Sequence, residues 1–185
     1  MNVNIIIDMQ NDFIEGSLKN DSAKAIVPKI CEFIKKRKDE NFVSTLDTHL
    51  DEKYLQTQEG KMLPIKHCIY KTWGHELNSS IQNVLYENNV SIKYAYKETF
   101  GMNPEGWENI FNNTDYKEKI HFFLTGVCTD ICVVSNAMIL KSLFPENEIT
   151  VYSDLCAGTT PENHQKALCV MQSCQIKVEK FFDNV

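Results

Sequence analysis

Ile120-His121-Phe122-Phe123-Leu124-Thr125-Gly126-Val127-Cys128-Thr129-Asp130-Ile131-Cys132 is the stretch whose reading decides the fold. Residues 120–125 form a short, nearly continuous apolar run, which predicts a central strand buried on both faces. A strand of that kind belongs to a parallel sheet covered by helices, because only crossover helices shield both faces from water. Residues 128–144 then read as a helix. The unit is strand, tight turn, helix, with a thiol, Cys132, in the predicted first helical turn.

The same alternation continues in both directions. Residues 4–7 are apolar and end at Asp8, the pattern of a second buried strand. Asp21 or Ser22 is placed to cap a helix over 23–40, with Ile26, Ile30, Phe33 and Ile34 on one face. A strand over 42–47 follows, then a polar segment over 48–76 with weak periodicity, long enough in a compact domain to be functional. A helix over 79–87 leads to a strand over 91–97, where Ile92, Tyr94 and Tyr96 alternate and predict a more exposed face. After another short helix and the central strand and helix come a strand over 149–153, a helix over 161–174 with Pro161 near its start, and a last strand over 176–181. Repeats, linkers and low-complexity stretches are absent from the sequence. The expected fold is α/β: a single domain, 1–185, with three layers and a mainly parallel, doubly wound sheet carrying helices on both faces. In such sheets sites form beyond the carboxyl ends of the strands. Asp8, Asp47, Lys97 and the segment 126–132 all fall there, so residues distant in sequence converge on one rim.

Composition narrows the function classes. Hydrophobic residues make up 43% and charged residues 24% of 185, ordinary globular values. The formal charge is −6, which disfavours nucleic acid and anionic membrane surfaces as partners. The densest basic run, Lys35-Lys36-Arg37-Lys38, falls at a predicted helix end, where cations complement the macrodipole. The apolar run over 3–7 is too short for a signal-peptide core, and no run approaches a membrane span. Seven cysteines, an odd number, argue against a disulfide framework and for a reducing cytoplasm.

The candidate chemistry follows from three residues on the rim. A lone cysteine is most often a small buried hydrophobe. At a strand-to-helix turn, however, Cys132 would meet free backbone N–H groups and a positive helix end, which favour a thiolate and an oxyanion. Asp8 closes an apolar strand, where a carboxylate is costly unless paired or used. Lys97 closes another strand. Together they form a working set: a carboxylate to take the thiol proton and an ammonium to hold both charges. Asp47-x-His49, with Glu59 and His67 further on, offers imidazole and carboxylate ligands suited to zinc, iron or manganese, against the plainer reading of a polar loop with scattered histidines. Cys128 and Cys132 also have a spacing open to a metal pair or a disulfide, but no second pair completes a structural zinc site. A Cys–His protease needs an imidazole near the thiol, and neither His121 nor His164 is placed for it. A phosphate-binding module needs a glycine-rich loop after the first strand, and Met9-Gln10-Asn11-Asp12-Phe13 contains none.

At this point the chain resembles the isochorismatase-like cysteine hydrolases, and within them the nicotinamidases, over nearly its whole length. The resemblance rests on 7–13, ending Gln10-Asn11-Asp12-Phe13; on Thr45-Leu46-Asp47-Thr48-His49; on 59–69, with Glu59-Gly60-Lys61 and His67-Cys68-Ile69; on Lys97-Glu98-Thr99-Phe100-Gly101; and on Gly126-Val127-Cys128-Thr129-Asp130-Ile131-Cys132-Val133. It implies Asp8, Lys97 and Cys132 as catalytic residues and backbone N–H groups of Cys128 and Cys132 as oxyanion donors, aimed by a cis bond between Val127 and Cys128. It implies Phe13 and Cys128 against the substrate, and Asp47, His49 and His67 as ligands of a divalent ion, zinc first, with Glu59 binding directly or through water. The implied activity is hydrolysis of nicotinamide to nicotinate and ammonia in pyridine nucleotide salvage. The alternatives are a related hydrolase of another small amide, ureide or vinyl ether, and a non-catalytic binding domain. The implied partner is a small-molecule amide, with a homo-oligomer left open. The chain departs from relatives that carry Gly-Thr-x-Gly-Trp after the His-Cys-Ile stretch. Here the residues are Lys71-Thr72-Trp73-Gly74-His75, and His75 reads as a surface histidine or, alternatively, a further metal ligand.

Overall fold

The computed structural model describes residues 1–111 and 119–183. Six strands form one sheet: β1 (Asn2–Ile7), β2 (Asn41–Asp47), β3 (Ile92–Lys97), β4 (His121–Val127), β5 (Glu148–Ala157) and β6 (Lys177–Glu179). Their order is β3-β2-β1-β4-β5-β6, and every pairing is parallel. The chain winds outward from β1 in one direction and from β4 in the other. The adjacent carboxyl ends of β1 and β4 therefore border the crevice where such sheets place their sites.

Two apolar layers hold the sheet between helices. On β1, Val3, Ile5 and Ile7 face one core and Ile6 faces the other, the period of two expected of a strand. The Ile6 side is closed by α2 (Asp21–Lys36) and α5 (Ser79–Glu87), which contribute Ile30, Phe33, Ile34 and Ile81. The opposite side is closed by α6 (Pro104–Phe111), α7 (Val134–Leu143) and α8 (Pro161–Ser173), through Trp107, Phe111, Leu140 and Met171. The expected three-layer α/β fold is the observed one. Among the described residues no helix is long and apolar enough to cross a membrane.

Several local expectations change. The cap of α2 is Asn20, whose side chain accepts from the N–H groups of Ser22 and Ala23, and the helix ends at Lys36, four residues before Glu40. The polar segment 48–76 contains α3 (Asp51–Tyr54), α4 (Gln58–Met62) and a 3₁₀ turn, Trp73–His75, all too short to give a periodic signal. A further four-residue helix, α1 (Asn11–Ile14), follows β1 directly. The predicted helix over 128–144 is divided: Thr129–Val133 winds as a π-turn before α7 begins. Strand β5 runs on to Ala157, well past residue 153, and β6 is shorter than 176–181. On β3, Tyr94 and Tyr96 are exposed while Ala95 and Lys97 are buried, as its alternation predicts.

Candidate active site

The crevice holds two polar groups joined by one side chain. The first is built on Asp8, fully buried, one residue past β1 and with a φ of 51°. That left-handed conformation turns the chain sharply, and Thr45 on β2 secures it. Thr45 Oγ1 donates to Asp8 Oδ1 at 2.7 Å and accepts from the Asp8 N–H at 3.2 Å. Lys97, at the end of β3, brings Nζ to 2.7 Å from Asp8 Oδ2 and 3.8 Å from Cys132 Sγ. Oδ2 meets the ammonium as an ion pair without regular hydrogen-bond geometry, so it keeps lone-pair capacity for an arriving proton. The thiol of Cys132, at the other end of the π-turn from Cys128, is buried beside the Lys97 ammonium and within the electrostatic reach of Asp8.

Electrostatics assign the resting protons. Burial and the neighbouring Asp8 charge push the Cys132 thiol well above its usual range, so it rests protonated. Burial also raises Asp8; Lys97 opposes this and Asp47 adds to it. Burial opposes the charge on Lys97, but the Asp8 and Asp47 carboxylates around it hold the ammonium above its ordinary value. The group is one ammonium, one carboxylate and one thiol, with Asp8 as the site the thiol proton can move to.

The second group is Asp47, His49, Glu59 and His67, each offering an atom within 4.8 Å of the others. Asp47 Oδ2 lies 2.9 Å from His49 Nε2 and 3.4 Å from His67 Nε2, and Glu59 Oε1 lies 3.5 Å from His67 Nε2. His67 Nδ1 is hydrogen-bonded to the Ile65 carbonyl at 2.9 Å, which fixes the tautomer so that Nε2 faces the group as a free donor atom. Two imidazoles and two carboxylates, converging and almost buried, fit a divalent ion of the zinc type. Burial alone would lower His67, yet the hydrogen bonds it donates to Asp47 and Glu59 lift it to about 10, so without an ion a proton sits where a cation belongs. Asp47 joins the two groups, since its Oδ1 is 3.1 Å from Lys97 Nζ while Oδ2 faces the histidines.

The residues the sequence proposed for catalysis, substrate contact and metal ligation all lie here. Phe13 packs its ring 5.7 Å from that of His67, and with Cys128 and Cys132 it lines a cavity of about 540 Å³. The Val127–Cys128 peptide is cis. Gly126, at φ 116°, runs so close to the Ile7 carbonyl that a Cβ would overlap it. His75 is neither a surface residue nor part of the metal group. It is 6% exposed, bonded to Thr48 Oγ1 at 3.0 Å and stacked on Tyr96, which supplies the polar and aromatic partners that pull it inward. Trp73 beside it stays exposed. His164 is bonded to Thr129 Oγ1 and His121 to Thr150 Oγ1, each at 2.8 Å.

Four supporting residues escaped sequence reasoning. Gln10 is fully buried; its amide donates to the Asp47 and His75 carbonyls and accepts from the Asp47 N–H, each at 2.8 Å. Asp12 accepts from the Cys68 N–H at 2.7 Å, bracing the loop that carries His67. Asn136 accepts from Met102 N–H and donates to the Cys132 carbonyl, tying the segment after Lys97 to the π-turn. Asp130 bonds the backbone and hydroxyl of Thr159, fastening that turn to the chain before α8. A glutamine directly after a buried strand was the one available signal, because a buried amide requires several partners.

A thiol paired with a buried carboxylate and lysine at the carboxyl edge of a parallel sheet defines a cysteine-dependent α/β hydrolase class. The isochorismatase domain model matches residues 2–180, and the chain belongs to that family. It is 27% identical to the nicotinamidase of Saccharomyces cerevisiae over 180 positions, covering 75% of this chain and 81% of the relative. The pyrazinamidase/nicotinamidase structure from Streptococcus mutans superposes with a TM-score of 0.80 at 26% identity, covering 96% of this chain and 99% of that one. The pyrazinamidase of Pyrococcus horikoshii in complex with zinc gives 0.75 at 25% identity, covering 97% and 99%.

Proposed function

We propose that the protein hydrolyses nicotinamide to nicotinate and ammonia through a thioester on Cys132, in the cytoplasm and in pyridine nucleotide salvage. The observation that carries this reading is the Lys97 ammonium, in contact with Asp8, Asp47 and Cys132 at once, which couples a nucleophile group to a ligand group across one substrate-sized cavity. Asp8 takes the thiol proton, and the thiolate attacks the carboxamide carbon. Backbone N–H groups of Cys128 and Cys132 receive the oxyanion, each donor contributing about 3 kcal/mol to the transition state. Asp8 then protonates the departing ammonia and, with the thioester formed, takes a proton from the water that releases nicotinate. Lys97 keeps the local charge balanced through both steps.

Asp47, His49, Glu59 and His67 would hold a divalent ion, zinc in the first place, which supplies a coordination position for the pyridine nitrogen. Phe13 packs on the ring and Cys128 lines its pocket. The names of the yeast, streptococcal and archaeal relatives support the substrate class, and the four converging ligands favour it over a vinyl-ether hydrolase. Seven free cysteines fit a reducing compartment. Residues 1–185 are proposed to act as one domain. The test is kcat/KM for nicotinamide against benzamide on metal-replete enzyme. Benzamide has the shape without the ring nitrogen and should be at least a hundredfold poorer; comparable values would sink the assignment.

A further inference from the structure

A second cavity, of about 610 Å³, adjoins the first. The two share Glu59, Leu63, Phe100 and Ile131, which stand between them as a partition. The ends of that partition coincide with the ends of the site. Glu59 and Leu63 belong to the metal-ligand side, and Ile131 immediately precedes Cys132. The outer chamber is also lined by Thr57, Gln58, Met62, Glu98 and Thr99, and by His49 of the ligand group. Met62 and Phe100 border it while remaining 78% and 49% exposed, so the chain leaves apolar surface uncovered next to its own reaction chamber. Either volume lies in the range of whole small-molecule sites, and together they exceed what a single six-membered ring with one carboxamide fills.

We propose that the outer chamber receives an apolar arm on the substrate ring, so that the enzyme acts on pyridine carboxamides alkylated on the ring edge as well as on the unsubstituted compound. This rests on the nicotinamide reading above. A ring fixed at one end by the ligand group and at the other by Cys132 lies along the partition. An arm on C5, the one ring carbon adjacent to neither anchor, then crosses between Leu63, Phe100 and Ile131 into the outer space. The surfaces it meets there are the Met62 thioether, the Phe100 edge and the aliphatic parts of Thr57 and Thr99. A buried methylene contributes about 0.8 kcal/mol, which is about fourfold in affinity. A three-carbon arm in a chamber partly open to water should gain about tenfold.

The experiment compares kcat/KM for nicotinamide and its 5-propyl derivative on metal-replete enzyme. Calorimetric binding of 5-propylnicotinate gives a readout independent of turnover. The propyl compound should exceed nicotinamide about tenfold in kcat/KM, and its acid should bind about tenfold tighter than nicotinate. Met62→Trp fills the outer chamber from its exposed rim. It should abolish both gains while changing nicotinamide turnover less than twofold, and Met62→Ala should keep the preference. An enzyme that hydrolyses nicotinamide but handles 5-propylnicotinamide no better overturns the proposal and leaves the reaction standing. So does an undiminished preference in Met62→Trp. Failure to hydrolyse nicotinamide at all refutes the reaction itself and, with it, the ring that carries the arm.

Discussion

Replacing Lys97 by methionine keeps the length of a side chain that is 3% exposed and removes its charge. Asp8 and Asp47, whose oxygens lie 2.7 and 3.1 Å from Nζ, would then face each other in a buried site with no counter-charge between them. Breaking a buried pair from one side costs about 3–5 kcal/mol, because an uncompensated charge remains. For a chain of this size that is roughly 6–20 °C in Tm. The sign of the pH dependence is fixed by Asp8. Its folded pKa is already raised by burial, with Lys97 the main influence opposing the rise, so removing the ammonium raises it further. A carboxyl whose folded pKa exceeds its unfolded value of about 4 destabilises the folded state once ionised, and that loss disappears as pH falls through the window between the two values. Urea unfolding of metal-replete wild type and Lys97→Met at pH 7 and pH 5 should therefore show a large penalty at pH 7, reduced by half or more at pH 5. Asp8→Asn added to Lys97→Met should recover part of the loss at pH 7. A penalty below 1 kcal/mol, or one independent of pH, would refute the charge arrangement.

Cys132→Ala should lower turnover by several orders of magnitude with little change in melting temperature; more than a few per cent of residual activity argues against a covalent route. Gln10→Leu removes an amide with three buried backbone partners, which at about 1–3 kcal/mol per stranded group should lower stability by several kcal/mol and weaken metal retention, read by calorimetry and elemental analysis. Chelation followed by desalting should abolish nicotinamide hydrolysis, and zinc should restore it; full activity in demonstrably metal-free protein would remove the metal from the account.

Most of the sheet was legible because buried parallel strands are apolar runs with sharp ends. Asp8, Asp47, Lys97 and Cys132 were legible because each interrupts or follows such a run at its carboxyl end. The segment 48–76 was legible only as polar. Its helices have three to five residues, less than the span over which a 3.6-residue period shows, and backbone bonds such as Tyr54 N–H to the Leu50 carbonyl hold them. The π-turn was hidden because its composition is that of a helix start; what widens it is the bond from the Val133 N–H to the Cys128 carbonyl five residues earlier. His75 was misplaced because a histidine's burial depends on partners distant in sequence, here Thr48 and Tyr96. Gln10 and Asn136 share that difficulty, since a buried amide and an exposed one look alike in sequence.

The most direct test of the central claim is rapid-quench mass spectrometry of the metal-replete enzyme within its first turnover of nicotinamide. The account predicts a nicotinoyl group on the peptide containing Cys132, formed as ammonia is released and lost as nicotinate appears. Nicotinate produced at the full rate while Cys132 stays unmodified throughout, or an acyl group found on another residue, would contradict it.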